Sequence, residues 1–121
     1  MAVTYALATE MVYKAGAGAS ATATGAAYTL AFGLMAESVI NSKTRFNWSD
    51  KYTAGLSDDT KYILVDAATN LGAIYIINYD MSGYSTLQEA STMCDILWAN
   101  FNRDCQLLED IKVRDFVTQA T

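Results

Sequence analysis

The sequence predicts an all-α protein, a small bundle of about four helices, and three observations point there. The chain has no proline, so nothing in it forbids a long helix. Apolar residues recur at steps of three and four over most of its length, while the signals of tight β-hairpins are missing. It is 52% hydrophobic and only 17% charged, enough apolar material for a packed core and unlike the composition of a disordered chain. At 121 residues, one domain spanning the whole chain is expected.

The first helix is predicted from Thr4 to Ala15. Tyr5, Ala8, Met11 or Val12, and Ala15 form its apolar stripe, with Glu10 and Lys14 spaced for an i,i+4 ion pair. The stretch Ala15 to Gly25 reads AGAGASATATG and contains nothing larger than threonine. It can bury little surface and is expected to be a flexible loop, or a segment that passes close to another chain and is ordered by assembly. A second helix follows from Ala26 to Lys43. Tyr28, Phe32, Met35 or Ala36, Val39 and Lys43 lie on one face with Leu30 and Leu34 beside it. So wide an apolar arc belongs to a helix at the centre of a bundle or to one covered by a partner.

From Thr44 to Gly55 no period is visible, yet Phe46, Trp48 and Tyr52 stand close together. They are expected either to cap the open end of the core or to anchor a protein interface. Ser57-Asp58-Asp59 has the composition of a helix start, with carboxylates where the helix dipole favours them. The third helix runs on to Tyr79 along Leu64, Ala67, Ala68, Leu71, Ile74 and Tyr75; its tail from Ile74 to Ile77 is strand-like by propensity but has no hairpin partner. Gly33 and Gly72 inside predicted helices each cost about 1 kcal/mol relative to alanine, which points to close helix approach at both. Asp80 to Gly83 is a predicted turn, with Gly83 free to take a positive φ.

The fourth helix has the clearest pattern. Ser85 and Gln88 are spaced as a capping box, and Leu87, Ala90, Cys94, Leu97, Phe101, Cys105 and Leu108 recur at helical steps, flanked by Met93 and Trp98. The remaining residues, 111–121, form a C-terminal arm or short helix. Its Ile111, Val113, Phe116 and Val117, with Lys112 and Arg114 among them, are expected to be bound by another chain.

The chemistry is mostly excluded. Eight basic against thirteen acidic residues give a net charge of −5, so a basic face for nucleic acid is not expected. Histidine is absent, which removes the commonest general base and metal ligand. Cys94 and Cys105 sit on one helix about 16 Å apart at 1.5 Å per residue, too far to bridge. They read as buried free thiols, in keeping with an intracellular or virion setting. Asp66 and Asn70, at i,i+4, could share a polar site with Glu37, but are expected to be helix-surface polar residues or to make an interhelical hydrogen bond. No phosphate-binding loop, dinucleotide fingerprint or nucleophile elbow occurs. Neither a signal peptide nor a membrane span is expected, since residues 25–36 are too short and residues 62–79 carry Asp66, Asn70 and Asn78. The expectation is a protein without catalytic activity, metal or cofactor.

A short first helix, a small-residue loop, AESVINSKTRFNW leading out of a helix, an SDDTKYILVDAATNLGAIYII helix and a final amphipathic helix with an apolar tail make up most of the chain. This layout resembles the small head-tail connector, or adaptor, proteins of tailed bacteriophages, in order and texture and without a diagnostic motif. The resemblance implies a virion structural subunit. It would form a ring, typically dodecameric, beneath the portal at the capsid vertex, bridging portal to neck or tail around a channel through which DNA passes. It also implies that the C-terminal segment reaches the portal protein. An acidic subunit suits such a conduit, because a basic lumen would retain DNA. A capsid decoration protein, or a small cytosolic regulatory protein, would share the size and acidity.

Overall fold

The computed structural model describes residues 3–56, 58–80 and 83–119, with side chains described as far as Asp110. It is all-helical, with 76% helix and no strand among the described residues. The elements are α1 (Ala8–Ala15), α2 (Ala26–Thr44), α3 (Trp48–Ala54), α4 (Asp58–Tyr79) and α5 (Leu87–Gln119).

The centre is α4, buried without interruption from Ala67 to Ile74, with α1, α2 and α5 packed around it. The wide apolar arc of α2 therefore does not mark the central helix. Nor is the predicted face of α2 the buried one. Thr29, Gly33, Ala36, Glu37 and Ile40 turn inward, whereas Tyr28, Met35 and Val39 face solvent. Small residues and one carboxylate select this rotation: a Cβ on Gly33 would lie 2.6 Å from Val3 Cγ1, so α2 approaches the N-terminal segment through its least bulky side.

That segment is not helical. Thr4 to Leu7 precede α1 as irregular chain bent at Thr4 and Tyr5, and Leu7 enters the helix at φ −71° and ψ 124°. The segment is held by a side chain instead: the amides of Thr4, Tyr5 and Ala6 donate to Glu37 Oε2 at 2.7, 2.8 and 2.9 Å. Lys14 is also diverted. Its ammonium pairs with Asp66 Oδ1 at 2.7 Å and donates to Thr69 Oγ1 at 2.8 Å, leaving the expected partner Glu10 exposed.

The small-residue loop is a series of hydrogen-bonded turns. Ala19 N–H donates to the Gly16 carbonyl and Thr24 N–H to that of Ser20, and Ala23 is fully buried. Tyr84 hydroxyl donates to the Ala15 carbonyl, and Gly83 lies against the Gly18 carbonyl so closely that a Cβ could not fit. Close approach, and not a positive φ, is what requires glycine at 83, since the positive-φ glycines among the described residues are Gly16 and Gly55. The tight passage open to so small a side-chain set is made here by the chain against itself.

Four features differ from expectation. The segment after α2 contains α3, too short to display a period and started by Asn47, whose side chain accepts from Asp50 N–H at 3.2 Å. Arg45 ends α2 in the left-handed region, φ 55° and ψ 44°, without the glycine or asparagine that usually announces such a stop. The cap of α5 is Thr86, accepting from Glu89 N–H at 3.0 Å, one residue beyond the Ser85–Gln88 box. The predicted cap Ser57 and the turn residues Met81 and Ser82 lie outside the described residues. Beyond Asp110 the backbone continues as α5 through Gln119, one unbroken helix where an arm or a separate short helix is predicted.

Gly72 receives Met11, which is fully buried; a Cβ there would lie 2.6 Å from Met11 Cε and Sδ and 2.8 Å from Cγ. Gly72→Ala is expected to destabilise by about 1 kcal/mol net, overpacking of roughly 1–3 kcal/mol outweighing the helix-propensity gain of about 1 kcal/mol. Urea unfolding checks this; unchanged or increased stability would mean that Met11 repacks freely.

Candidate functional site

Three places bear on function: the aromatic end of the bundle, a charged cluster between helices, and the outer face of α2. At the aromatic end, Trp48 is 1% exposed. Its indole N–H donates to Thr44 Oγ1 at 2.9 Å, and that hydroxyl donates to the Ile40 carbonyl at 2.7 Å. Phe46 packs on it with ring centroids 4.5 Å apart. Tyr52 lies 6.0 Å from Tyr5 and beneath the Lys61 ammonium. Asn41 joins the pieces, its Oδ1 accepting from Tyr5 hydroxyl at 3.0 Å and Trp48 N–H at 3.2 Å. Burial, followed by the nearby Glu37, pushes the Tyr5 hydroxyl well above its ordinary range, which keeps it a donor. Of the predicted interface aromatics, Trp48 is enclosed by its own chain, whereas Phe46 and Tyr52 are half-buried at the rim. The side chains of Ile111, Lys112, Val113, Arg114, Phe116 and Val117 lie outside the described residues.

The charged cluster joins α1, α4 and α5. Asp66 and Asn70 do meet a carboxylate from another helix, but it is Asp104 of α5 and not Glu37. Asn70 Nδ2 donates to Asp66 Oδ2 at 3.1 Å and to Asp104 Oδ2 at 3.4 Å. Arg103 reaches both carboxylates, at 3.4 Å to Asp66 and 3.2 Å to Asp104. Burial acts upward on Asp66, yet hydrogen bonds from Asp104 and Lys14 and the Lys14 charge hold it below the usual carboxylate range. Burial and then the facing Asp66 push Asp104 up to about 7, against the opposing pull of Arg103.

Beside this cluster lies a groove of about 420 Å³ between α1, α3 and α4, bordered by Glu10, Lys14, Tyr52, Lys61 and Tyr62. Its two lysines are engaged within the chain, Lys14 on Asp66 and Lys61 over Tyr52. Asp104 is not among the residues lining it; it is 2% exposed. Among the described residues no group of three or more Cys, Asp or Glu is placed to hold a metal ion. No helix there is long and apolar enough to cross a membrane. Cys105 is buried and Cys94 half-buried, both as free thiols.

The outer face of α2 is unusual for its lack of charge. Between Lys14 and Lys43 the one charged residue is Glu37, and Glu37 is turned inward. The exposed face presents Tyr28, Ala31, Met35, Ser38, Val39 and Ser42, with Met35 half exposed. Its edge continues onto α4 through an aromatic row: Tyr79 against Tyr28 at 5.2 Å, Tyr28 against Phe32 at 6.2 Å, and Phe32 against Tyr75 at 5.9 Å.

No family model, curated protein or solved structure matches this chain. The functional reading accordingly rests on the geometry of these surfaces and on the layout of the chain.

Proposed function

We propose that this chain is a virion structural subunit of the head-tail connector type, assembling with copies of itself into a ring through the outer face of α2. The observation that carries the reading is the exposed, uncharged face of α2 on a chain of net charge −5. Copies of an acidic protein repel one another wherever their carboxylates are brought together, and like-charge juxtaposition across an interface costs several kcal/mol. The face from Tyr28 to Ser42 escapes that penalty and offers apolar side chains to bury.

Ring closure requires a heterologous contact, in which two different surfaces of each subunit meet. The outward side of α5 supplies a second surface, more acidic but carrying exposed Ile96, Trp98 and Leu107. On this reading the helical extension from Ile111, with Phe116 and Val117, faces the portal, and DNA traverses the lumen without sequence-specific binding.

Native mass spectrometry and negative-stain microscopy of the purified protein test the proposal, with rings as the expected result. A Met35→Glu, Val39→Glu double variant should keep the helical circular-dichroism spectrum and weaken association about a hundredfold or more, since each carboxylate would have to be desolvated in the contact. A wild-type chain that stays monomeric at high concentration and on its particle, or a double variant that assembles normally, would overturn it. Trimers seated on capsids would assign the chain to decoration instead.

A further inference from the structure

The α4–α5 interface is the most extensive in the fold, and one pair of like charges faces across it. Asp104 is 2% exposed, and its Oδ2 shares the single amide nitrogen of Asn70 with Asp66 Oδ2. The cations available to the pair are limited. Lys14 from α1 is bound to the Asp66 side. Arg103, on the same helix as Asp104, donates from Nε and Nη2 to Asp104 Oδ1 at 3.3 and 3.2 Å and reaches Asp66 Oδ2 at 3.4 Å, but its side chain is 60% exposed and its charge is screened by solvent. Cys105, next along α5, feels the Asp104 charge and is itself held as a thiol by burial. Two ionised carboxylates in this position would set like charges against each other in a contact buried at Asp104 and 39% exposed at the Asp66 side chain, while a single proton converts one of them into a donor for the other.

We propose that Asp66 and Asp104 form a one-proton latch that fastens α5 to α4 when the pair holds a proton and loosens the two helices when it is lost. Asp104 keeps the proton, because Asp66 is the partner stabilised as an anion by Lys14. The pH window follows from the direction of the shifts. Asp104 binds its proton more tightly in the folded chain than in the unfolded one, so its contribution is complete at and below the ordinary carboxylate range and is lost as pH rises to about 7. Asp66 is shifted the other way, and its contribution disappears only below the ordinary carboxylate range. The two windows are separate, so mildly acidic and mildly alkaline conditions compare the latched and unlatched states. The device acts within one chain and does not depend on how copies assemble.

The test compares wild type with Asp104→Asn, whose amide can donate to Asp66 at every pH. Between pH 5.5 and 8 the wild-type melting temperature is expected to fall by about 5 °C more than that of the variant. Protection factors of α5 amides around Phe101 to Cys105 should drop about tenfold in wild type only. Carbon-13 spectra of the wild-type carboxyl groups supply a measurement that needs no variant. Asp104 should titrate near neutrality, and in Asp66→Asn its midpoint should move down by a unit or more. Identical pH profiles for wild type and Asp104→Asn, or an Asp104 resonance titrating in the ordinary carboxylate range, would overturn the latch.

Discussion

Glu37→Ala is expected to destabilise the fold by about 2–4 kcal/mol. Three backbone donors converge on one oxygen of this side chain, at 2.7 to 2.9 Å. Charge-assisted hydrogen bonds are worth roughly 1.5–3 kcal/mol each, and a buried amide left unpaired costs about 1–3 kcal/mol. The total stays below the simple sum because the segment from Val3 to Leu7 can peel away and hydrate. Glu37→Gln retains an acceptor oxygen in the same place and should lose roughly half as much. Chemical denaturation gives the totals, and hydrogen exchange at Thr4, Tyr5 and Ala6 locates the damage. A loss under about 0.5 kcal/mol for the alanine variant, the usual range for an unremarkable surface substitution, would mean that the carboxylate does not hold the segment.

Trp48→Ala should be comparably severe, about 3–5 kcal/mol, as for other large-to-small replacements of buried aromatics. It removes the largest fully buried side chain, strips Thr44 of its indole donor, and leaves Phe46 without the ring it packs against. The result separates the two expectations raised by this aromatic group. A core role predicts a large fall in the midpoint of unfolding of the chain itself. An interface role predicts an unchanged midpoint and a loss of assembly alone.

The long helices were legible in the sequence because each has its own local cause. Ala26 to Lys43 and Asp58 to Tyr79 are within a residue of α2 and α4, as unbroken apolar periodicity without proline would have it. The buried set Ala90, Leu97, Phe101, Cys105 and Leu108 of α5 follows from three- and four-residue steps. What escaped were features caused by residues distant in sequence. Thr4 to Ala6 have a helical pattern, but all three amides donate to a side chain more than thirty positions away. Lys14 has a well-spaced partner in Glu10, yet Asp66 and Thr69 together offer a better-enclosed site.

The candidate surfaces divide in the same way. That α2 has an arc too wide for one contact was readable from composition. Which side of the arc stays in water was not, because Gly33 and Glu37, poor hydrophobes both, decide what packs inward. The charged cluster needed α5 in place: Asp66 and Asn70 are visible as a pair, but nothing local tells that Asp104 is the third member.

The way α1 is fastened also has a consequence for the order in which the chain can fold as it is made. A helix of eight residues is too short to persist in water by itself. Each of its supports comes from later in the sequence: Glu37 for the segment before it, the α4 face with Asp66 and Gly72 along its length, and Tyr84 at its end. On a ribosome α1 therefore settles only after the later residues that hold it have been made. Until Gly72 has left the exit tunnel, Met11 remains uncovered, and the end of α1 at Ala15 waits for Tyr84.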